Sequence, residues 1–144
     1  MSFFDNLFKI ENETSVSGLN SELKAIYIYE KFKNVKKSIT VVTNSLYEAN
    51  NMYKSLLNYS KDVLLFPMDD FLTSEALAIS PELKITRLET LKEILTGDKK
   101  IVITNLMGFL RFLPKHENFI KSIINLKQNQ TIDFNEIVNK LDGI

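Results

Sequence analysis

The residues most suggestive of chemistry are Gly18-Leu19-Asn20-Ser21-Glu22-Leu23-Lys24-Ala25. Gly18 and Lys24 stand at the spacing of a phosphate-binding loop, G-x-x-x-x-G-K-[ST]. In such a loop the second glycine lets backbone N–H groups close on phosphates, the lysine neutralises them and the hydroxyl holds magnesium. Here Leu23 occupies the second glycine position and Ala25 the hydroxyl position. Leu23 adds bulk where the backbone must wrap closely, and Ala25 removes a magnesium ligand. No strong apolar strand precedes the segment. An ordinary helix start is favoured over nucleotide binding.

The second candidate is the acidic pair Asp69-Asp70 with Glu75. Paired carboxylates serve as metal ligands or as acid and base. Nothing nearby in sequence supplies further ligands, and adjacent residues of an extended loop point apart, so a solvated loop is the better reading. Arg87 is the third candidate. It is placed to reach a phosphate, a partner carboxylate, Glu82 or Glu89, and a structural ion pair or hydrogen bond to the acidic loop is the favoured role. His116 is the only histidine, and without an arranged partner it is no catalyst. No nucleophile elbow accompanies the serines.

The elements that must position these residues follow from periodicity and punctuation. A helix opens around Ser17–Ala25 and runs to about Phe32, with Leu23, Ile26, Tyr27, Tyr29 and Phe32 inward; Lys31, Lys33, Lys36 and Lys37 crowd its end, where cations complement the helix dipole. Ser38–Thr43 is a β-branched strand. Ser45 and Glu48 have capping-box spacing, opening a helix with Ala49, Met52, Tyr53, Leu56 and Leu57 on its apolar face. Val63–Phe66 is a second strand, closed by Pro67, which has no N–H for a ladder. Ser80-Pro81 announces a helix, Ser80 as N-cap and Pro81 at the first helical position. Its stripe is Leu83, Leu88, Leu91 and Leu95, and Gly97 ends it with φ > 0. Ile101–Ile103 is a third strand. Asn105 caps a short helix carrying Leu106, Phe109, Leu110 and Leu113, stopped by Pro114. Ile123–Leu126 reads as a further strand, and Asp133–Leu141 as a helix with Phe134, Ile137, Val138 and Leu141 on one face. At the other end, Phe3, Phe4, Leu7 and Phe8 recur at helical spacing. They fit a short amphipathic helix laid on the body of the domain, or an aromatic patch awaiting a partner.

Strands alternating with helices predict an α/β fold, a mainly parallel sheet with helices on both faces and the form of a P-loop-NTPase lobe. Eighteen basic residues balance eighteen acidic ones, which argues against a dedicated nucleic-acid module. The absence of cysteine excludes disulfides, thiol catalysis and cysteine-ligated metals. No run approaches membrane-spanning length and no signal peptide is present, so a cytoplasmic protein is expected.

One stretch is more specific than its architecture. Phe66, Pro67, Asp69, Asp70, Ser74, Glu75, Ala76, Ser80, Pro81, Glu82, Leu83, Arg87, Leu88, Glu89 and Leu91, in that order, resemble the N-terminal module of the bacterial transcription-repair coupling factor (Mfd), itself similar to the damage-verifying helicase UvrB. The resemblance implies that Gly18, Ser21 and Lys24 are relics of a phosphate loop, and that Phe66, Pro67, Asp70, Ser80, Pro81 and Arg87 are structural motif residues. UvrB carries an aromatic-rich hairpin where Pro67–Ser80 is short, which favours the coupling factor. As the resemblance implies, residues 1–114 form a degenerate P-loop-like lobe and residues 115–144 begin a second, truncated lobe. The parent would be an ATP-dependent DNA translocase using ATP and magnesium. Its partners would be RNA polymerase, double-stranded DNA and UvrA. The fragment itself would be non-catalytic, without cofactor or metal and without a complete UvrA site. A divergent helicase lobe with residual ATP binding is the alternative.

Overall fold

A computed structural model describes residues 15–70, 80–124, 126–128, 131, 133, 135, 137 and 138. The Phe3–Phe8 helix and Glu75 lie outside these. The chain divides into two compact units, Met1–Arg111 and Phe112–Ile144.

In the first unit, α1 (Ser21–Asn34) leads to β1 (Ile39–Thr43), α2 (Leu46–Leu57), β2 (Val63–Phe66), α3 (Pro81–Ile94), β3 (Ile101–Asn105) and α4 (Leu106–Phe109). The three strands are parallel in the order β1-β3-β2, with Val41 opposite Ile103 and Leu65 opposite Ile103 on the other side. The chain crosses from β1 over to β2 and then steps back to β3. With one hand of crossover for both connections, α2 and α3 lie on opposite faces. The α/β expectation holds.

The period of two sorts the strand residues. Ile101, Ile103 and Val63 are buried in one cluster with Ala25, Phe32, Ala49 and Leu56 of α1 and α2, and Ile39, Val41 and Leu65 pack against it. Of the residues expected inward on α1, Phe32 is in this cluster and Tyr29 packs against it, joined by Ala25 and Ile28, whereas Leu23, Ile26 and Tyr27 are half-buried and do not belong to it. Apolar residues surround this helix, so periodicity alone leaves its rotation open. Glu30 is also buried and pairs with Lys33 at 2.7 Å. In α2, Leu57 faces solvent instead of the core.

The α3 face differs from its leucine pattern. Thr90 is its buried residue, and its hydroxyl donates to the Leu65 carbonyl of β2, while Leu88 is exposed. The polar side chains win these positions because an edge strand offers carbonyls to satisfy. Gly97 has φ +78 just beyond the helix, as the helix stop requires. Helix α4 is a single turn; Leu110 and Leu113 fall outside it and are exposed.

In the second unit, α5 (His116–Lys121) begins at the exposed His116. Ile123, Ile124 and Leu126 are not in a strand, which corrects the sequence expectation: no partner ladder is present for them among the described residues. Asn135, Ile137 and Val138 are helical, and the Asn135 N–H donates to Asp133 Oδ1 at 2.8 Å. Phe134 and Leu141 lie outside the described residues.

Candidate functional site

Ligands of open parallel α/β sheets bind at the carboxyl ends of the strands. In this protein those ends converge on Asn105, the last residue of β3, which is fully buried. Its Nδ2 donates to the Met68 carbonyl at 2.7 Å and to Asp70 Oδ1 at 2.6 Å. Its Oδ1 accepts from the Met68 N–H at 3.1 Å. Asn105 thus holds the backbone of the β2–α3 loop as a neighbouring strand would. It occupies the N-cap position of α4, but its side chain makes no cap bond there; the buried loop groups have the stronger need.

Asp70 extends this network. Both carboxylate oxygens accept from the Leu46 N–H, at 2.9 Å each. Leu46 is the first residue of α2, where backbone donors have no helical partner and a negative charge meets the positive end of the dipole. The Ser45 hydroxyl accepts from the Glu48 N–H at 3.2 Å, and Glu48 Oε2 accepts from the Asn44 N–H at 3.1 Å. The expected capping box therefore forms, shifted by one residue at its return bond. Asp70 is an exposed loop residue, as a solvated loop implies, and its carboxylate also ties the loop to the helix start.

Arg87 Nη1 donates to the Pro67 carbonyl at 3.0 Å, at the base of the acidic loop. Burial pushes its guanidinium below the ordinary value; Arg111 adds to this and Asp69 opposes it. The Thr104 hydroxyl donates to the Phe66 carbonyl at 2.8 Å. Gly108 sits over this bond: a Cβ there would lie 2.3 Å from Thr104 Oγ1 and 3.0 Å from the Phe66 oxygen.

Phe66, Pro67, Asp70 and Arg87 are therefore brought together at the sheet's carboxyl edge. Ser80 and Pro81 stand at the start of α3, and among the described residues the Ser80 hydroxyl bonds to Glu82 and not into the network. Ser80 is at the N-cap position, but its hydroxyl donates to Glu82 Oε2 instead of accepting a first-turn N–H. The following proline confines it to φ −50, ψ 120. That correction also accounts for the Glu82 carboxyl, held below its ordinary pKa chiefly by this hydroxyl. Thr104, Asn105 and Gly108 were not singled out by sequence as site residues.

Gly18, Ser21 and Lys24 lie elsewhere; Ser21 and Lys24 line part of a groove of about 710 Å³ between α1, α2 and the edge of β1. Gly18 has φ +81. The helix already begins at Ser21, so Ser21–Lys24 are helical. Asn20 Oδ1 accepts from the Leu23 N–H at 2.9 Å. Ala25 is buried in the core. Among the described residues no group of three acidic or histidine side chains could hold a metal ion.

The site thus defines a small parallel α/β lobe whose carboxyl edge is closed by its own side chains. Over 139 residues, 95% of its length, the chain is 34% identical to the transcription-repair-coupling factor of Staphylococcus epidermidis and 32% identical to that of Staphylococcus haemolyticus. It is 29% identical over 145 aligned positions to that of Staphylococcus aureus. The chain is homologous to a segment of transcription-repair-coupling factors, consistent with the N-terminal module named by the motif resemblance. It spans 12% of the length of the curated relatives it matches. No family model matches it, and no solved structure matches it significantly. No helix among the described residues is long and apolar enough to cross a membrane.

Proposed function

We propose that this chain acts as the non-catalytic, UvrB-like N-terminal module of a transcription-repair coupling factor. The parent is an ATP-dependent DNA translocase that displaces stalled RNA polymerase on double-stranded DNA and recruits nucleotide-excision repair through UvrA in the cytoplasm. ATP and magnesium serve a motor elsewhere in the parent. Residues 1–114 are the degenerate P-loop-like lobe, and residues 115–144 begin a second lobe that completes the UvrA surface.

The observation that carries the non-catalytic reading is the Asn20–Leu23 bond. A phosphate loop works by offering backbone N–H groups at a helix N-terminus to phosphate. Here that turn is closed by its own asparagine, the loop is replaced by helix from Ser21, and the magnesium-ligand position is a core alanine. Phe66, Pro67, Asp70 and Arg87 then act as fold-holding residues, and Gly18, Ser21 and Lys24 as relics.

One observation favours a second reading, residual nucleotide binding: Lys24 is exposed and, with Ser21, lines the groove. Calorimetric titration with ATP–magnesium separates the two. No heat of binding is expected; micromolar affinity lost in Lys24→Ala would establish the second reading. A binding assay with UvrA tests the partner. The chain alone is expected not to bind, and a longer chain containing the complete second lobe is expected to bind. Equal binding by both would place the recruiting surface within these residues.

A further inference from the structure

The chain carries no net charge, but its charge is not spread evenly. The three strands are parallel, so the connections that lead into them, residues 35–38, 60–62 and 97–100, lie side by side at the amino edge of the sheet. Hydrogen bonds join them. The Ile39 N–H donates to the Lys100 carbonyl at 3.0 Å, the Lys100 N–H to the Ser38 hydroxyl at 3.1 Å and the Ile101 N–H to the Asp62 carbonyl at 2.8 Å. These connections hold Lys36, Lys37, Lys61, Lys99 and Lys100 against only Asp62 and Asp98. Part of this charge serves the fold. Helices α1, α2 and α3 all end here, and cations complement the carbonyl end of a helix. Lys99 donates to the Phe32 and Val35 carbonyls, and Lys100 pairs with Asp62. Lys36, Lys37 and Lys61 are exposed, and among the described residues they make no ion pair.

We propose that this amino edge docks on the phosphate backbone of duplex DNA, with Lys36, Lys37 and Lys61 as its phosphate contacts. Three observations select this occupant. The first is spacing. Strands β1 and β2 flank β3, so Lys36–Lys37 and Lys61 enter from strands about 10 Å apart, a span over which a duplex offers several phosphates, one charge per roughly 1.7 Å of its axis. The second is the lack of an apolar centre. Between the lysines these connections offer one aliphatic side chain, Val35, where a protein partner would meet an apolar core. The third is the state of the aromatic ring at this edge. Single strands are held on rings offered to their bases, but Tyr59 is already stacked on Tyr29 at 5.9 Å. Arginine, asparagine and glutamine, which read purine edges, are absent from the three connections. The contact is therefore with backbone and independent of base sequence. It gives this lobe a DNA contact of its own, at the end opposite the Asp70–Asn105 network, and it depends on neither the ATP nor the UvrA reading.

The test is fluorescence anisotropy of a short labelled DNA duplex titrated with the chain at rising salt. Binding is expected with a dissociation constant of roughly 1–100 µM, alike for duplexes of unrelated sequence. Lys36→Gln with Lys61→Gln should weaken binding about tenfold or more at low salt. It should also reduce the slope of log affinity against log salt by about 2, roughly one for each phosphate contact. Lys84→Gln with Arg111→Gln removes equal charge from exposed positions at the other end of the lobe and should leave the slope unchanged. Circular dichroism checks that both variants are folded. A second measurement needs no substitution: in the unaltered chain, DNA should protect Lys36, Lys37 and Lys61 from reductive methylation and leave Lys84 as reactive as before. No binding at low salt would overturn the proposal, as would equal losses in the two variants or equal protection of Lys84. Tighter binding of single-stranded DNA, of duplex RNA or of polyglutamate at matched charge would overturn it too, by making the occupant something other than duplex DNA.

Discussion

The Asn105 carboxamide and the Asp70 carboxylate meet at 2.6 Å, and through them the end of β3 is joined to the start of α2. Neither is close to the other in sequence, and neither belongs to a group of side chains that could hold a metal ion among the described residues. The pair does the work that a bound ligand does in many open α/β sheets: it satisfies the polar groups where the strands end.

Removing Asp70 should therefore act as the loss of a helix cap. Asp70→Ala is expected to cost about 1–2 kcal/mol, the upper part of the range for N-caps. Asn105→Ala should cost more, about 2–3 kcal/mol, because it leaves the Met68 N–H and carbonyl as well as Asp70 without their partner. Urea titration of the two single variants and the double variant checks this. The double variant should be clearly less destabilised than the sum, since the residues share one network. Strict additivity would mean that the bond between them is not a working part of the fold.

Gly108→Ala should be among the most damaging small substitutions in the lobe. The added Cβ meets the Thr104 hydroxyl at 2.3 Å and the Phe66 carbonyl at 3.0 Å. Both are held by their mutual hydrogen bond, so neither yields freely. A loss of about 1–3 kcal/mol is expected, as for overpacking. Thr104→Ala in the same chain should recover part of it by removing the nearer atom. No recovery would mean that the clash is relieved by backbone movement instead.

Much of this architecture is legible in the residues. The β-branched runs 39–43 and 101–103, the Pro67 stop, Ser45 with Glu48, and Gly97 each carry a local signal that the structure honours. The rotation of α1 and of α3 was not legible, because it is decided across the sheet. Thr90 faces inward to reach the Leu65 carbonyl, a need created only once β2 is an edge strand. The Asn105 hub was hidden for the same reason. Asparagine after a strand and before a short helix reads locally as a cap, and only the loop brought alongside it supplies better partners. Asp70 was visible as part of a motif, but its bonds to a helix start 24 positions earlier have no local signature.

Ser80→Ala gives a sharp contrast with a true cap. Its hydroxyl serves Glu82 rather than the helix N–H groups, so the loss in stability should fall short of the roughly 1 kcal/mol that an N-cap contributes. The Glu82 titration should change more. Its carboxyl is held below the value of 4.5 expected for a free glutamate, first by the Ser80 hydroxyl and then by its own backbone N–H. A folded value below the unfolded one means that the contribution is complete above the unfolded value and is lost as pH falls through the folded one. In Ser80→Ala, carbon-detected NMR titration should find Glu82 moved up toward the free value, with the stability difference between the two proteins vanishing in acid. An unmoved Glu82 would mean that the hydroxyl is not its partner in solution.

Lys99 closes the opposite end of the lobe, and it offers the clearest test of a single side chain. Its ammonium donates to the Phe32 carbonyl at 2.7 Å and the Val35 carbonyl at 2.9 Å, and lies 4.2 Å from the centre of the Phe32 ring. These carbonyls belong to the end of α1, where the dipole favours a cation and the backbone acceptors have run out of helical donors. The residue comes from the connection just before β3, so it fastens α1 to the sheet. Lys99→Met keeps the length of the stem and removes the charge and its donors. A loss of about 1.5–3 kcal/mol is expected, the range for hydrogen bonds to charged groups. Lys99→Arg should recover only part of it, because a planar guanidinium does not place two donors as a compact ammonium does. Hydrogen exchange gives the decisive readout. Amides in the last turn of α1 should exchange faster in Lys99→Met, while those of α3 should change only by the global loss of stability. If α1 shows no extra exchange, Lys99 is a surface residue whose two bonds contribute nothing to holding the helix.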